Sequence, residues 1–178
     1  MEQINLIQAK GGQGTSVTTC ALALWAAGEG LTVRLDGQDR STLAAILGMP
    51  DDGPVIPGLV LGDDAAGCDL TVHDGPANQG TNLLVTRACY LALRRAVHLA
   101  GCASAAGVVA VLEPGRALGC EDIAAVLGLP VIATVPLRAD IARAVDAGVL
   151  AARLPDPLAT AAAHILSFLG SPSRREVA

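Results

Sequence analysis

The chain has 178 residues, 52% of them apolar but only 2% aromatic, and a net charge of −5. This length favours one domain, and the scarcity of aromatic side chains leaves Ala, Val, Leu and Ile to build its core. The acidic balance excludes a general electrostatic attraction to nucleic acid or anionic lipid. The five cysteines form no CxxC pair, so we interpret them as buried thiols of a reducing, cytoplasmic compartment.

Short apolar runs alternate with longer helical segments along the chain. The predicted strands are residues 3–8, 31–36, 69–74, 82–86, 107–112 and 130–135, and the predicted helices are residues 15–28, 40–48, 87–101, 119–128, 138–147 and 156–169. Most of the strand runs are nearly continuous in apolar residues, which is typical of strands covered on both faces. This alternation predicts an α/β fold with a three-layer, doubly wound, mainly parallel sheet.

The remaining segments are interpreted from their composition. Residues 50–68 hold prolines and aspartates and are predicted to form a surface loop, and residues 171–178 are predicted to be a flexible tail after a single domain of residues 1–170. Glycine, proline and charged residues interrupt every apolar stretch, so we expect no integral membrane association. The last predicted helix is expected to dock on the sheet.

A glycine-rich turn follows the first predicted strand and precedes the first predicted helix: Lys10-Gly11-Gly12-Gln13-Gly14-Thr15-Ser16. A strand, a glycine loop and a helix in this order present backbone N–H groups and the positive helix end to an anion. Lys10 is the only lysine of the chain, which suggests that this position requires a compact ammonium group. We therefore predict a phosphate site; the alternative is a tight turn capped by Thr15 or Ser16.

Two later strands end in carboxylates, Asp36 and Asp74, at the sheet edge where α/β proteins bind ligands. Ser16 is suited to be a hydroxyl ligand of Mg²⁺, and Asp74 to hold a Mg²⁺-bound water. Each aspartate taken alone is equally compatible with a turn or a helix cap. Gly12, Gly14 and Asp36 also match part of a dinucleotide-binding motif, but the third glycine would fall at Val17.

These segments resemble the deviant Walker A family of P-loop ATPases, which includes ParA, MinD and the CpaE/TadZ proteins. The loop of that family reads KGG-x-G-K-[ST], and residues 10–14 match its first five positions while Ser16 matches its last. Asp74-Gly75-Pro76 is similar to the D-x-P of its switch II, and residues 83–87 to the strand and turn that follow. Residues 128–136 resemble the stretch that ends, here at Pro136, near the nucleotide base.

The resemblance implies a P-loop NTPase fold that binds ATP or ADP with Mg²⁺. Lys10 would be the signature lysine that reaches the nucleotide of a second copy, so that ATP holds a homodimer together. Asp36 and Gln38 would join Lys10 in catalysis, Ser16, Asp36 and Asp74 would serve the metal, and Pro136 would lie near the base. The residues implied to bind the nucleotide phosphates are Lys10, Gly11, Gly12, Gln13, Gly14, Thr15, Ser16 and Val17.

The same resemblance implies a role in plasmid or chromosome partition or in intracellular positioning. The implied partners are a second copy of the chain and a protein of the ParB or polar-adaptor type. Nonspecific DNA is a further candidate, through surfaces rich in arginine such as Arg87, Arg94 and Arg95, or Arg138, Arg143 and Arg153.

Three positions depart from the family pattern. Thr15 stands where the P-loop lysine contacts the β- and γ-phosphates, Gln38 stands at the second aspartate of switch I, and Glu113 stands where relatives often carry an asparagine that reads adenine. Loss of the cation removes charge stabilisation from the transition state. We therefore predict a degenerate member with weak or absent hydrolysis; the alternative is a non-catalytic adaptor that binds a protein partner independently of nucleotide.

Overall fold

The structure, a computed structural model, describes residues 2–49, 56–62 and 67–170. The strands are β1 (Glu2–Ile7), β2 (Val33–Gly37), β3 (Leu59–Leu61), β4 (Leu70–Asp74), β5 (Thr81–Arg87), β6 (Gly107–Leu112) and β7 (Val131–Pro136). The helices are α1 (Thr15–Gly28), α2 (Arg40–Leu47), α3 (Tyr90–Cys102), α4 (Cys120–Leu127), α5 (Ala139–Asp146) and α6 (Asp156–Gly170). None of these helices is long and apolar enough to cross a membrane. The predicted tail, residues 171–178, lies outside the described residues.

The strands form one parallel sheet in the order β3-β2-β4-β1-β5-β6-β7, which confirms the predicted doubly wound α/β fold. β1 is the central strand, between β4 and β5. In the register of these strands, Leu6 of β1 lies beside Asp74 of β4. The loop after β1 therefore opens at the middle of the sheet edge, next to the end of β4.

The main core fills one face of the sheet. Ile4 and Leu6 of β1 are fully buried there with Leu22 of α1 and Ile165 of α6. Alanines line much of the buried side of α1, and their small side chains allow the helix to approach the sheet and α6 closely. Burial of Leu158 and Ile165 confirms that the last helix docks on the core.

The second face of the sheet is covered by helices over only part of its width. There α3 and α4 pack on apolar residues such as Leu84 and Val108. The expectation of strands that are apolar on both faces holds for β6, but not for β2 and β4, where Arg34 and Asp36, and Thr71 and His73, alternate with apolar residues. Polar side chains are compatible with a sheet face that no described helix covers.

Two further expectations need correction. Residues 59–61 of the predicted surface loop form the edge strand β3, which pairs in parallel with β2 and buries Leu59. Three residues are too few to show a periodicity in the sequence. Of the cysteines, Cys20 and Cys68 are buried as expected, but Cys89 and Cys120 are only partly buried, and Cys102 is exposed at the end of α3.

A short crossover connects β4 to β5. Residues 75–80 pass over β1 without a helix, whereas parallel strands are usually joined by a dozen or more residues. The fully buried Asn5 holds this segment on the sheet, since its Nδ2 donates to the carbonyl of Gln79 at 2.7 Å and to Oδ1 of Asn82 at 2.9 Å. The crossover thereby holds Gly75 and Pro76 beside the loop that follows β1.

Replacing Gly80 by alanine is expected to destabilise the fold more than replacing Gly30. Both glycines have the same left-handed backbone, with φ of +89° and +91°, which costs alanine about 1–2 kcal/mol. A Cβ at Gly80 would also lie 2.4 Å from the carbonyl oxygen of Gln3, whereas a Cβ at Gly30 would meet no atom within 4 Å. The overlap should add about 1–3 kcal/mol. Urea unfolding of both variants measures the difference; equal losses would contradict the tight crossover.

Candidate functional site

The loop between β1 and α1 is shaped by glycine. Gly12 and Gly14 have φ of +76° and +85°, a conformation that disfavours a side chain. A Cβ at Gly11 or Gly12 would meet no protein atom within 4 Å, so packing within the protein does not require glycine at Gly11. Glycine at these positions instead leaves open space above the backbone, as the close approach of a ligand requires.

The start of α1 carries no side-chain cap. Its N-cap is Gly14, and no acidic residue lies in the first turn. Thr15 and Ser16 are already helical, and their hydroxyls bond elsewhere, so neither acts as the cap of a simple turn. The first N–H groups of the helix and its positive end are therefore available to an anion.

Ser16 meets the end of β4. Its Oγ donates to Oδ2 of Asp74 at 2.6 Å, and Oγ1 of Thr19 lies 3.4 Å from Oδ1 of Asp74. The contact follows from the register of β1 and β4, which brings Asp74 level with Leu6. A hydroxyl and a carboxylate are hard oxygen ligands of the kind that Mg²⁺ prefers, so the pair fits a metal ion next to the loop.

An open cleft of about 380 Å³ lies over this contact. Its charged lining residues are Lys10, Asp39 and Asp74, so its formal charge is negative. The cleft is lined by Gln8, Ala9, Lys10, Gly11, Thr15, Ser16, Gln38, Asp39, Thr42, Asp74, Gly75 and Pro76.

Gln38 and Asp39 form the far side of the cleft. The Gln38 side chain lies against Gly75, whose added Cβ would be 3.9 Å from it. Asp39 caps α2, and hydrogen bonds from the Ser41 and Thr42 hydroxyls and from the Thr42 N–H lower the pKa of Asp39 to about 2. Asp39 is therefore an anion at the rim of the cleft. The D-x-x-T spacing of Asp39 and Thr42 is an N-cap signal that is already visible in the sequence.

Two residues of the loop are buried, and their side-chain polar groups are already hydrogen-bonded within the protein. Thr15 is buried, and its Oγ1 donates to Oε1 of Gln8 at 2.9 Å. Gln13 is also buried, and its Oε1 accepts from the backbone N–H of Arg87 at 2.9 Å. Gln13 thus ties the loop to the end of β5. Position 15 therefore contributes no positive charge to the cleft.

Asp36 lies apart from the other predicted metal ligands. It points to the polar face of the sheet, where Arg34 and Arg40 donate to its two carboxylate oxygens at 2.5 and 2.9 Å. The N–H of Gly37 donates to it as well. Val17 and Pro136, at the start of α1 and the end of β7, also do not line the cleft. The structure therefore brings together Lys10, Gly11, Thr15, Ser16, Gln38 and Asp74 of the predicted site.

Glu113 takes part in an ion-pair cluster at the end of β6. Its Oε2 accepts from Arg87 at 2.6 Å and from Arg116 at 2.9 Å. Hydrogen bonds from Arg116 and Arg87 lower the pKa of the Glu113 carboxyl below its usual range. The cluster adjoins the hydrogen bond between Gln13 and Arg87, so it stands next to the loop on the side away from Asp74.

The arginines that the sequence groups together occupy two areas. Arg138, Arg143 and Arg153 line a cavity of about 500 Å³ around α5 and the start of α6, together with Asp140 and Asp156. Arg94 and Arg95 are exposed on α3. None of the cleft residues lines the larger cavity.

The fold matches solved structures over nearly its whole length. MinD from Pyrococcus horikoshii, complexed with Mg-ADP, superposes with a TM-score of 0.76 at 16% identity, covering 95% of this chain and 97% of that one. The chain has the fold of MinD and of the ParA-family ATPases. A ParA family ATPase from Chlorobium tepidum superposes with a TM-score of 0.68 at 16% identity, covering 93% and 97% of the two chains.

A putative plasmid partition protein from Borrelia burgdorferi, bound to AMPPNP, is similar as well. Its TM-score is 0.67 at 13% identity, and the match covers 94% of this chain and 98% of that one. No protein-family model matches the sequence, and no curated protein matches it either. The likeness to the MinD and ParA structures is therefore one of fold.

Replacing Asp36 by asparagine should destabilise the protein at neutral pH by about 1–3 kcal/mol, because two arginines lose a buried partner. Burial raises the pKa of Asp36, but hydrogen bonds from Gly37, Arg40 and Arg34 outweigh it and lower the pKa below 3.8. The stabilisation of the folded protein by the Asp36 carboxylate is complete above the pKa of Asp36 in the unfolded chain. It is lost as the pH falls through the pKa of Asp36 in the folded protein. The difference between wild type and variant should therefore shrink below about pH 4.

Unfolding free energies at pH 7 and pH 3 measure this effect. Asp140→Asn is the matched control, since Asp140 pairs with Arg138 on the exposed surface, where solvent screens the pair, and the change should leave the unfolding free energy nearly unaltered. A loss at Asp36 that does not depend on pH would contradict the ion-pair account.

Proposed function

We propose that this protein is a ParA/MinD-like nucleotide-binding protein of DNA partition or intracellular positioning. In this role it is an ATP-dependent homodimer with weak or absent hydrolysis. The observation that carries the proposal is the uncapped start of α1, whose first turn also holds the contact between Ser16 and Asp74. The fold it shares with a MinD complexed with Mg-ADP and with a partition protein bound to AMPPNP supports the choice of an adenine nucleotide.

Because the cleft has a negative formal charge, the nucleotide is expected to bind together with Mg²⁺. Lys10 carries one positive charge against two negative charges on Asp39 and Asp74, so a polyphosphate without a counterion would meet net repulsion. In this proposal Ser16 Oγ and Asp74 hold the ion, with Asp74 acting through water, and the N–H groups of the loop bind the phosphates. The bound ion supplies the positive charge that the phosphates need.

Hydrolysis is limited because position 15 carries a neutral threonine instead of a lysine. Its hydroxyl is taken by Gln8, and a neutral side chain cannot stabilise the charge that develops on the transferred phosphoryl group. Gln38 lines the cleft and is suited to orient a water molecule through its amide. Asp36 acts indirectly in this proposal: its bonds to Arg34 and Arg40 hold the end of β2, from which Gln38 follows.

The role of Lys10 differs between an ATP-dependent homodimer and a nucleotide-independent adaptor. It lines the cleft and is only partly buried, so in a homodimer it is suited to reach the nucleotide of the second copy. The competing function, a nucleotide-independent adaptor, is favoured by the missing lysine at Thr15 and the negative charge of the cleft. A protein of the ParB or polar-adaptor type would be the partner in either case.

Calorimetry with Mg·ATP and light scattering test the proposal. The wild type should bind Mg·ATP and dimerise with it, and EDTA should abolish both. Ser16→Ala should weaken Mg²⁺-dependent binding at least tenfold, about 1.4 kcal/mol, because the metal loses a ligand. Lys10→Ala should lose nucleotide-dependent dimerisation.

Thr160→Ala, on the exposed side of α6, is the control and should behave as the wild type. An oligomeric state that responds to neither nucleotide nor Lys10→Ala would establish the adaptor instead.

Thr15→Lys should restore part of the missing function. The new ammonium group would enter the cleft beside the loop, tighten binding of Mg·ATP at least tenfold, about 1.4 kcal/mol, and raise ATP turnover above that of the wild type. Thr15→Met adds similar bulk without charge and separates the electrostatic effect from packing. Equal behaviour of the two variants would contradict the role assigned to the missing cation.

A further inference from the structure

The outer side of α3 exposes apolar and basic side chains together. We call it the α3 face and define it by Tyr90, Leu91, Arg94, Arg95, Val97 and His98. Tyr90 is 70% exposed, Leu91 50% and Val97 46%, and they are three of the seven large hydrophobic residues exposed in the described part of the chain. The helix buries only Ala92, Leu93 and Ala96.

The spacing turns these residues into one surface. Tyr90, Arg94 and Val97 follow each other at i, i+4 and i+7, and Leu91, Arg95 and His98 form the adjacent row. Tyrosine and arginine are the residue types that contribute most to protein–protein interfaces. Placing the only tyrosine of the chain, one of three aromatic residues, in water is otherwise unfavourable.

The charge of the α3 face is opposite to that of the chain. α3 contains no acidic residue, although the net charge of the protein is −5. Arg94 and Arg95 form no ion pair with any residue that the structure describes, so both are available to a partner. We propose that the α3 face is the docking surface for a partner protein that presents an acidic amphipathic helix.

Two other occupants fit less well. A second copy joined by two-fold symmetry would set Arg94 and Arg95 against the same arginines, which repel. A nucleic acid would pair with the arginines through its phosphates but would leave Leu91 and Val97 in water. An acidic amphipathic helix satisfies both halves of the surface, since its apolar residues cover Tyr90, Leu91 and Val97 and its carboxylates pair with the arginines.

The start of the α3 face is connected to the glycine loop after β1 through a hydrogen bond. Tyr90 comes three residues after Arg87, whose backbone N–H bonds to Gln13 of the loop. The biological role of this surface, as the site of the protein partner, rests on the proposed function. Docking itself requires no nucleotide.

Fluorescence anisotropy with labelled probes tests the inference in the absence of nucleotide. The supporting probe is a designed amphipathic peptide of about 18 residues, with leucines on one side and glutamates around them. The same peptide with lysine for every glutamate and a DNA duplex of about 20 base pairs are the competing probes. The acidic peptide should bind, and Arg94→Glu with Arg95→Glu, or Tyr90→Ala alone, should weaken it at least tenfold.

Arg143→Glu with Arg153→Glu changes the same charge on another surface and should leave peptide binding unchanged. Absence of acidic-peptide binding, equal binding of the lysine peptide, preference for DNA, or insensitivity to the α3 variants would each overturn the proposal. So would a nucleotide-free dimer, seen by light scattering, that Tyr90→Ala dissociates. Calorimetry with Mg·ATP on the same preparations shows separately whether the nucleotide site fails.

Discussion

One contact, from Ser16 Oγ to Asp74 Oδ2 at 2.6 Å, joins the first turn of α1 to the end of β4. It exists because β1 occupies the centre of the sheet with β4 at its side, so that the glycine loop and the carboxylate meet at one edge. The neighbouring Cys20 adds no second anion, since burial and the charge of Asp74 raise the pKa of its thiol. Asp74 is therefore a single carboxylate beside the Ser16 and Thr19 hydroxyls, beneath an open cleft.

Side-chain contacts anchor the loop beside this contact. Gln13 bonds to the backbone of Arg87, Arg87 pairs with Glu113, and Thr15 bonds to Gln8. The hydrogen bond of Gln13 and the ion pair of Arg87 tie the loop to β5 and to the end of β6. Lys10 is the charged residue that the loop brings to the cleft. In the proposed function, this site holds a nucleotide together with its metal ion and hydrolyses it slowly or not at all.

The second face of the sheet separates two kinds of surface. On this face β2 and β4 carry polar side chains, and the short crossover of residues 75–80 passes over β1, where Asn5 holds it in place. Over β5 and β6 the helices α3 and α4 bury an apolar layer. α3 covers this layer with one side and presents tyrosine and arginine on the other. Parallel sheets are normally covered by helices on both faces. The polar side chains of β2 and β4 are compatible with a part of the second face that no described helix covers.

Local spacing alone determined the glycine loop after β1, the order of all the helices and of every strand but β3, and the carboxylate that ends β4. A glycine turn and apolar periodicity depend only on neighbours in the chain. Only the tertiary structure decided where the side chains point. Asp36 and Asp74 both belong to strand ends, yet Asp36 pairs with Arg34 and Arg40 on the polar face, since successive residues of a strand face opposite sides. Likewise, β3 is a strand because it pairs with β2, and the Gln13 side chain is buried because it accepts a hydrogen bond from the backbone N–H of Arg87. Both contacts join residues that are far apart in the chain.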